Sequence, residues 1–238
     1  MKLILFDLDQ TLVDFMSVHD KSTFESFKEC FGVDVHLTEI HFAGQSKVQN
    51  FIELAKLKNI PSDIFRQKRK LLLKRFEASF NKNILSCDTY NKCVLPGVIQ
   101  LLGKLSEIGY LIVLYTGNSR ETANQILKVT GLGKYFKFSV SGSINNRIST
   151  VKRAVRKAEI LVGKNFTDIV VIGDSIKDVE CGKIIGAKTI AVTTGFHSRK
   201  ELQEYKPDFV FNNLENCNQI LEAIKKSDEN RIGHKWTR

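Results

Sequence analysis

Three groups of polar residues in this sequence each stand directly after a short apolar run. The groups are Asp7-Leu8-Asp9-Gln10-Thr11, Thr116-Gly117-Asn118, and Gly173-Asp174-Ser175 with Asp178 following. Apolar runs of this length are typical of strands that are buried on both faces of a sheet. Ligands of open parallel sheets bind outside the carboxyl ends of the strands. If the three strands are neighbours, the three polar groups therefore converge on one site.

Such a site would bring together the carboxylates of Asp7, Asp9, Asp174 and Asp178. Like charges raise one another's pKa, so these groups are unstable together without a cation. Mg²⁺ prefers oxygen ligands and keeps several waters, which leaves a position for a phosphate oxygen of a substrate. We therefore predict a magnesium site with Asp7 and Asp174 as direct ligands. Asp178 would bind the metal or orient its ligands, and Asp9 would offer its backbone carbonyl.

The same residues could carry out phosphoryl transfer. A carboxylate is already ionised at neutral pH, so Asp7 needs no base to attack phosphorus and form an aspartyl-phosphate. The side chain of Asp9 remains free for proton transfer. The Thr116 hydroxyl and the Gly117 amide suit the phosphoryl oxygens as hydrogen-bond donors. A fixed cation is also expected, because charge on the equatorial oxygens must be compensated.

Apolar runs and helical patterns alternate from about residue 96 onward, as in βαβ units. The later apolar runs lie at 111–115, 136–140, 168–172, 189–192 and 209–211. Helical spacing is found at 98–108, 120–129, 149–162, 179–185, 200–205 and 214–225. This alternation predicts an α/β fold with a parallel sheet and right-handed crossovers.

The interval 15–93 departs from this alternation, with helical patterns and no persuasive strand. It separates the first strand from the rest of the α/β unit, so it is predicted to be an all-helical insert. The core domain is then formed by residues 1–14 together with 94–226. The last residues, 227–238, are polar and without periodicity, and we expect them to fray.

Length, composition and charge exclude several classes of protein. With 238 residues, 42% hydrophobic and 26% charged, the chain has the composition of a globular protein. Its apolar runs fall far short of the roughly 18 residues that span a bilayer. The apolar run at the amino terminus is too short for a signal peptide and is followed too soon by an acidic residue. We therefore expect a cytoplasmic protein without membrane partners. The five cysteines include no CxxC pair, which disfavours a zinc site. A net charge of +10 attracts phosphorylated metabolites and nucleic acids alike.

The segments DLDQTLVD at 7–14, YTGN at 115–118 and GDSIKD at 173–178 resemble the first, second and fourth motifs of the haloacid dehalogenase (HAD) superfamily. The likeness in order, spacing and strand context spans residues 2 to about 225. It implies a Rossmann-like three-layer core, with Asp7 as nucleophile and Asp9 as general acid and base. The insert is similar to the helical cap of the phosphoglycolate phosphatase-like branch.

The sequence departs from this family at the third motif, which usually supplies a lysine. The matching place reads Asn145-Asn146-Arg147-Ile148-Ser149. We predict Arg147 as the cation that faces the phosphate, since its guanidinium can bind phosphate through two donors. Lys152 is the second candidate for this cation. The segment His41–Lys47 lies where members of this branch carry a loop that reaches the substrate.

Together these features predict a Mg²⁺-dependent phosphatase that acts on a small phosphorylated metabolite, with Thr116, Gly117, Asn118 and Arg147 at the phosphate. One alternative is a sugar-phosphate mutase, which uses the same pair of acids. A second alternative is a non-catalytic protein that holds nucleic acid on its basic surface. We favour an enzyme over this alternative because the catalytic positions other than the lysine are filled. Nucleic acid is not an expected partner.

Overall fold

The computed structural model describes residues 1–86, 93–142 and 147–226. Within these residues, six parallel strands form one sheet in the order β3-β2-β1-β4-β5-β6. The strands are β1 (Leu3–Phe6), β2 (Leu111–Tyr115), β3 (Ser139–Val140), β4 (Ile169–Gly173), β5 (Lys188–Val192) and β6 (Phe209–Phe211). The expected α/β fold with a parallel sheet is confirmed.

Strand β1 lies at the centre of the sheet, and all four of its side chains are buried. Leu3 pairs with Leu111 of β2 on one side and with Ile169 of β4 on the other. The strand order reverses between β1 and β4, the kind of position at which open α/β sheets bind ligands. The polar residues that follow β1, β2 and β4 therefore emerge side by side.

Helices cover both faces of the sheet. The helices of the described residues are α1 (Met16–Phe31), α2 (Lys47–Leu57), α3 (Ser62–Leu85), α4 (Val98–Glu107), α5 (Arg120–Thr130), α6 (Arg147–Val162), α7 (Ile176–Ile184), α8 (Arg199–Glu204) and α9 (Cys217–Lys225), with 3₁₀ turns at Leu37–Glu39 and Leu132–Tyr135. Because side chains alternate along a strand, Leu3 and Leu5 belong to one hydrophobic cluster and Ile4 and Phe6 to another. The core therefore has three layers.

Helices α1, α2 and α3 lie between β1 and α4, in the part of the chain that we call the helical insert (described residues 15–86). Its centre is aromatic: the ring of Phe51 meets Phe27 at 5.4 Å and Phe76 at 5.5 Å between centroids, edge to face in both cases. These rings belong to the same cluster as Ile4 and Phe6 of the sheet. The predicted domain boundaries at 14 and 93 stay a prediction.

The structure corrects three element boundaries. Strand β3 was expected at 136–140 but comprises only Ser139–Val140, because the 3₁₀ turn before it orients Phe136 toward Phe6, edge to face at 6.4 Å. Helix α7 begins at 176 rather than 179, since Ser175 caps it. Helix α9 begins at 217 rather than 214, where the Asn216 side chain accepts a hydrogen bond from a backbone amide. The predicted tail, 227–238, lies outside the described residues.

Among the described residues, no helix combines the length and the apolar character that a membrane span requires.

Candidate active site

The carboxylates of Asp7, Asp174 and Asp178 meet at the carboxyl edge of the sheet. Asp7 directly follows β1, Asp174 directly follows β4, and Asp178 lies on the first turn of α7. One oxygen from each lies within 4.8 Å of the others, and all three residues are at most 5% exposed. The prediction that the first and third polar groups converge is confirmed.

The loop after β1 is joined to its neighbours by side-chain hydrogen bonds. The Thr11 hydroxyl donates to Oδ1 of Asp174 over 2.9 Å. The Thr194 hydroxyl donates to the carbonyl of Gln10, a residue with a φ of 61°. A non-glycine residue in this left-handed region needs support from its surroundings. These contacts place the loop with its acids facing the end of β4.

Arg147, the first residue of α6, lies between two of the acids. Its Nη2 donates to Oδ1 of Asp7 over 2.6 Å and to Oδ1 of Asp178 over 2.7 Å. The guanidinium also lies over the ring of Tyr115, 4.9 Å from its centroid. Burial opposes its charge, yet Asp178 and Asp7 keep the pKa of Arg147 above its ordinary value, so it stays protonated. Lys152, the second candidate for this cation, is exposed and does not line the cavity described below.

Both carboxylate oxygens of Asp178 already have partners. Oδ1 accepts from the Tyr115 hydroxyl over 2.8 Å as well as from Arg147. Oδ2 accepts from the backbone amide and the hydroxyl of Ser175, over 3.0 and 2.7 Å. This arrangement suits Asp178 to holding Arg147 in place and leaves Asp7 and Asp174 as the more open oxygen ligands.

The acids carry more negative charge than their buried environment favours. Burial raises the pKa of Asp7 well above its usual range, outweighing the nearby charge of Arg147. Burial, with the charge of Asp178, raises the pKa of Asp174 to about 7. A divalent cation would relieve both effects, and carboxylate oxygens are the ligands that Mg²⁺ prefers. The residues present therefore fit a magnesium ion held by Asp7 and Asp174.

Asp9 is held differently from these three acids. Its Oδ1 lies 2.9 Å from Nε2 of His19, and its Oδ2 accepts a hydrogen bond of 2.5 Å from Nδ2 of Asn118. Burial opposes the ionisation of Asp9, but His19, Lys47 and Asn118 together outweigh it, so the pKa of Asp9 is lowered. The resting protein therefore holds Asp9 as a carboxylate.

His19 is a site residue to which the sequence analysis assigned no role. Lys47 donates from Nζ to Nδ1 of His19 over 3.2 Å, so the remaining proton of a neutral ring lies on Nε2 and points to Asp9. Burial lowers the pKa of His19, which favours that neutral ring. The sequence feature that could have identified His19 was its position in the first helix after Asp9, at helical spacing from Phe15 and Met16.

The loop that precedes α2 closes over the acids. The Lys47 amide donates to the carbonyl of Gly117 over 3.1 Å. A Cβ on Gly117 would lie 2.3 Å from the carbonyl oxygen of Gln45, so the two backbones approach more closely than any side chain allows. Phe42 meets Phe196 edge to face at 4.5 Å between centroids. The expectation that the segment His41–Lys47 reaches the site agrees with this arrangement.

Between this loop and the sheet lies a cavity of about 60 Å³. It is lined on the sheet side by Asp7, Asp9, Gln10, Gly117, Asn118, Arg147, Asp174 and Phe196, and on the side of the insert by Met16, His19, Leu37, Phe42, Ala43, Gly44, Gln45, Lys47 and Asn50. Two predicted site residues, Thr116 and Asp178, lie behind this lining. The Thr116 hydroxyl oxygen accepts from the amide of Asn118 over 3.1 Å, so it shapes the turn that holds Asn118.

Comparison with known proteins agrees with this geometry. Residues 1–186 match the family model of the haloacid dehalogenase-like hydrolases. The chain belongs to this family and is an enzyme of the hydrolase class.

Individual relatives are more distant. Over 228 residues the chain is 25% identical to pyrophosphatase PpaX of Bacillus cereus (strain AH820), covering 94% of this chain and 98% of that protein. It is 24% identical over 224 residues to a phosphoglycolate phosphatase of Synechococcus elongatus, covering 94% and 97%. The crystal structure of a β-phosphoglucomutase from Clostridium difficile superposes with a TM-score of 0.76 at 16% identity, covering 93% of this chain and 96% of that one. At this identity the last likeness concerns the fold alone.

Proposed function

We propose that this protein is a magnesium-dependent phosphatase that hydrolyses a small phosphorylated metabolite through an aspartyl-phosphate on Asp7. The observation that carries the proposal is the meeting of Asp7, Arg147 and Asp174 at one cavity that also exposes Asp9. A nucleophilic carboxylate, a fixed cation, a metal-ligating carboxylate and a proton carrier are the groups that such a transfer needs. The matched family and the names of the two relatives support the same reaction class.

In the first half of the reaction, an oxygen of Asp7 attacks phosphorus while the bond from phosphorus to the leaving oxygen breaks. Arg147, held by Asp178, offers a fixed positive charge to the phosphoryl oxygens. When held by Asp7 and Asp174, Mg²⁺ would supply further positive charge that offsets the carboxylates and the phosphate. A bound phosphate dianion raises the pKa of Asp9, because a nearby negative charge favours its protonated form, so Asp9 takes up a proton from solvent when the substrate binds. Asp9 then donates this proton to the leaving oxygen.

In the second half, Asp9 takes a proton from a water molecule, which attacks the aspartyl-phosphate. Phosphate leaves and Asp7 is restored as a carboxylate. The hydrogen bonds from His19 and Asn118 favour the ionised form of Asp9 that this step requires. Asp9 thus serves once as an acid and once as a base.

The size of the cavity favours a small substrate. The cavity of about 60 Å³ is far smaller than the roughly 300–1,000 Å³ of pockets that enclose drug-sized ligands. That space suits a phosphate group with a short leaving group better than a hexose phosphate. We therefore keep the mutase as the second candidate, which predicts isomerised sugar phosphate without release of phosphate. We propose that the enzyme acts in the cytoplasm.

The test is phosphate release from 2-phosphoglycolate, pyrophosphate, p-nitrophenyl phosphate and hexose phosphates, with Mg²⁺ and with a chelator. We expect turnover that requires Mg²⁺ and that falls at least about 10⁴-fold in Asp7→Asn, as for the loss of a nucleophile. The matched control is Asp63→Asn, an exposed aspartate on the first turn of α3. Equal activity of Asp7→Asn and the wild type would refute the mechanism.

A further inference from the structure

The helical insert places a buried ammonium group in the wall of the cavity. Lys47 is only 7% exposed, although it is the first residue of α2. Its Nζ lies 4.7 Å from the centroid of the Phe76 ring and donates to Nδ1 of His19 over 3.2 Å. Both contacts orient the ammonium group, but neither supplies a negative charge that would neutralise it.

Lys47 differs in this respect from Arg147, the other cation that lines the cavity. Arg147 touches two carboxylates. Among the described residues, no carboxylate lies within the 4.0 Å of an ion pair from Nζ of Lys47. Burial lowers the pKa of Lys47 to about 8, against the pull of Asp9 and Asp20. A buried charge without a partner is costly, so an anion arriving in the cavity would be strongly stabilised there.

Two carboxamides beside Lys47 also have oxygens without partners. Oδ1 of Asn50 and Oε1 of Gln45 are buried and accept no hydrogen bond in the described structure. Asn50 is 5% exposed, one turn along α2 from Lys47, and both carboxamides line the cavity. Native proteins pair nearly all buried polar atoms, so an exception calls for an explanation. Rotation of the Asn50 carboxamide by 180° lets it offer NH₂ to an anion. The Gln45 NH₂ group is already committed, because it donates to the His41 carbonyl over 2.7 Å and to Oε1 of Glu53 over 2.9 Å.

We infer that Lys47 and Asn50 form a subsite for the leaving group, and that this subsite selects substrates whose leaving group carries its own negative charge. This inference rests on the proposed phosphatase function, since it concerns the same cavity. The shared chemistry is a phosphoryl group joined to a second small anion, either a carboxylate or another phosphate. The ammonium group of Lys47 binds the second anion, and the Asn50 carboxamide, rotated so that its NH₂ faces the anion, donates a hydrogen bond to it.

The experiment compares matched substrates. 2-Phosphoglycolate and 2-hydroxyethyl phosphate have similar size and differ in the charge of the leaving group, and pyrophosphate supplies a phosphate as the second anion. We expect the wild type to show at least about 30-fold higher kcat/KM for one or both anionic substrates than for 2-hydroxyethyl phosphate. A charge-assisted contact of about 2 kcal/mol corresponds to this ratio. The larger of the two preferences identifies carboxylate or phosphate as the partner of Lys47.

The quantity compared is kcat/KM for an anionic substrate divided by kcat/KM for 2-hydroxyethyl phosphate. Lys47→Met should lower this ratio at least about tenfold, and Lys47→Arg should keep it within about threefold of the wild-type ratio. The ratio cancels any effect that passes through His19 to Asp9, because such an effect acts on all substrates. The matched control is Lys68→Met, an insert lysine that likewise lies over a phenylalanine ring, that of Phe31, but outside the cavity. An unchanged ratio in Lys47→Met, or a wild type that prefers 2-hydroxyethyl phosphate, would overturn the inference.

A binding measurement separates this inference from the proposed function. Asp7→Asn protein is titrated by calorimetry with 2-phosphoglycolate and with 2-hydroxyethyl phosphate, with and without the added Lys47→Met change. We expect the Lys47→Met change to weaken the binding of 2-phosphoglycolate at least about tenfold and to alter the binding of 2-hydroxyethyl phosphate, whose leaving group is uncharged, by much less. If the wild type turns over none of the substrates yet this selectivity holds, the phosphatase proposal fails and the subsite stands. If neither compound distinguishes the variants, the subsite is wrong whatever the activity.

Discussion

The sheet side and the insert side of the cavity differ in whether their polar atoms have hydrogen-bond or ion-pair partners within the protein. On the sheet side, Asp178, Arg147 and Asp9 are each held by two or more hydrogen bonds within the protein. On the insert side, Lys47 has no carboxylate within ion-pair distance among the described residues, and Asn50 leaves an oxygen without a partner. The comparison indicates that the sheet side is preorganised for the chemical step, whereas the insert side keeps polar groups with spare capacity to bind a ligand.

The largest effect on the sheet side, apart from loss of the nucleophile, is expected at Asp9. Asp9→Asn should lower kcat about 10²- to 10⁴-fold, because it removes the group that carries the proton. The measurement is steady-state phosphate release with 2-phosphoglycolate. Asp63→Asn, which changes the exposed acid on the first turn of α3, serves again as the control. A variant at position 9 with wild-type kcat would remove Asp9 from the mechanism.

Arg147 is expected to have the next largest effect. Arg147→Ala should reduce kcat/KM about 10²- to 10³-fold, as for the loss of one fixed donor at a developing charge. Lys152→Ala, an exposed cation on the same helix, should change it by less than about threefold. Since Arg147 contacts Asp7, the thermal midpoints of both variants should be compared. Equal kinetics of the two variants would mean that Arg147 does not face the substrate.

Gly117→Ala tests the close backbone contact between the sheet side and the insert side of the cavity. The added Cβ would lie 2.3 Å from the Gln45 carbonyl oxygen, which must move away together with the loop that carries Lys47. We expect kcat/KM for an anionic substrate to fall roughly tenfold and stability to fall by about 1–3 kcal/mol. Gly103→Ala in helix α4 has open space around its Cβ and should be neutral or stabilising by up to about 1 kcal/mol. If the two alanine variants behave alike, the close approach of the loop to Gly117 does not matter for activity.

The smallest effect concerns the joint dependence of stability on pH and magnesium. Burial, with Asp178, raises the pKa of Asp174 to about 7, so the folded protein binds more protons than the unfolded chain between about pH 4 and 7. The contribution of Asp174 to stability is therefore lost as pH rises through this window. Mg²⁺ should restore it, with a rise in Tm of a few °C that is greater at pH 7.5 than at pH 5.

Differential scanning calorimetry checks this prediction on the wild type and on Asp174→Asn. The variant should lose the part of the pH dependence that Asp174 contributes and most of the response to Mg²⁺, because its side chain neither titrates nor carries charge. A Mg²⁺ response of equal size in the variant and the wild type would place the metal elsewhere.

Much of the sheet side could be predicted from the sequence because its residues follow strands directly. An apolar run that ends in Asp7 or Asp174 fixes both the element and the edge of the sheet at which the acid emerges. The elements that were placed less well depend on contacts made elsewhere. Strand β3 is shortened by the packing of Phe136 on Phe6, which no local pattern in the chain reveals.

The insert side was predicted only as a loop near the substrate. His19 and Asn50 carry no motif, and an amphipathic helix presents many polar residues of the same types to solvent. Which of them turn toward the cavity depends on how α1 and α2 pack against α3 and against the loop at Gly117. These contacts join residues that are far apart along the chain, so spacing alone did not identify them.

The sequence by itself determined the parallel sheet, the identity of Asp7, Asp9 and Asp174 as neighbouring acids, and the chemistry that such acids support. Only the tertiary structure decided that Asp178 holds Arg147 and that His19 faces Asp9. It also decided that Lys47 is buried with no carboxylate of the described residues within ion-pair distance. The physical reason is that strand periodicity and chain polarity are local properties. The partner and the burial of a charged side chain, by contrast, are set by every element that packs around it.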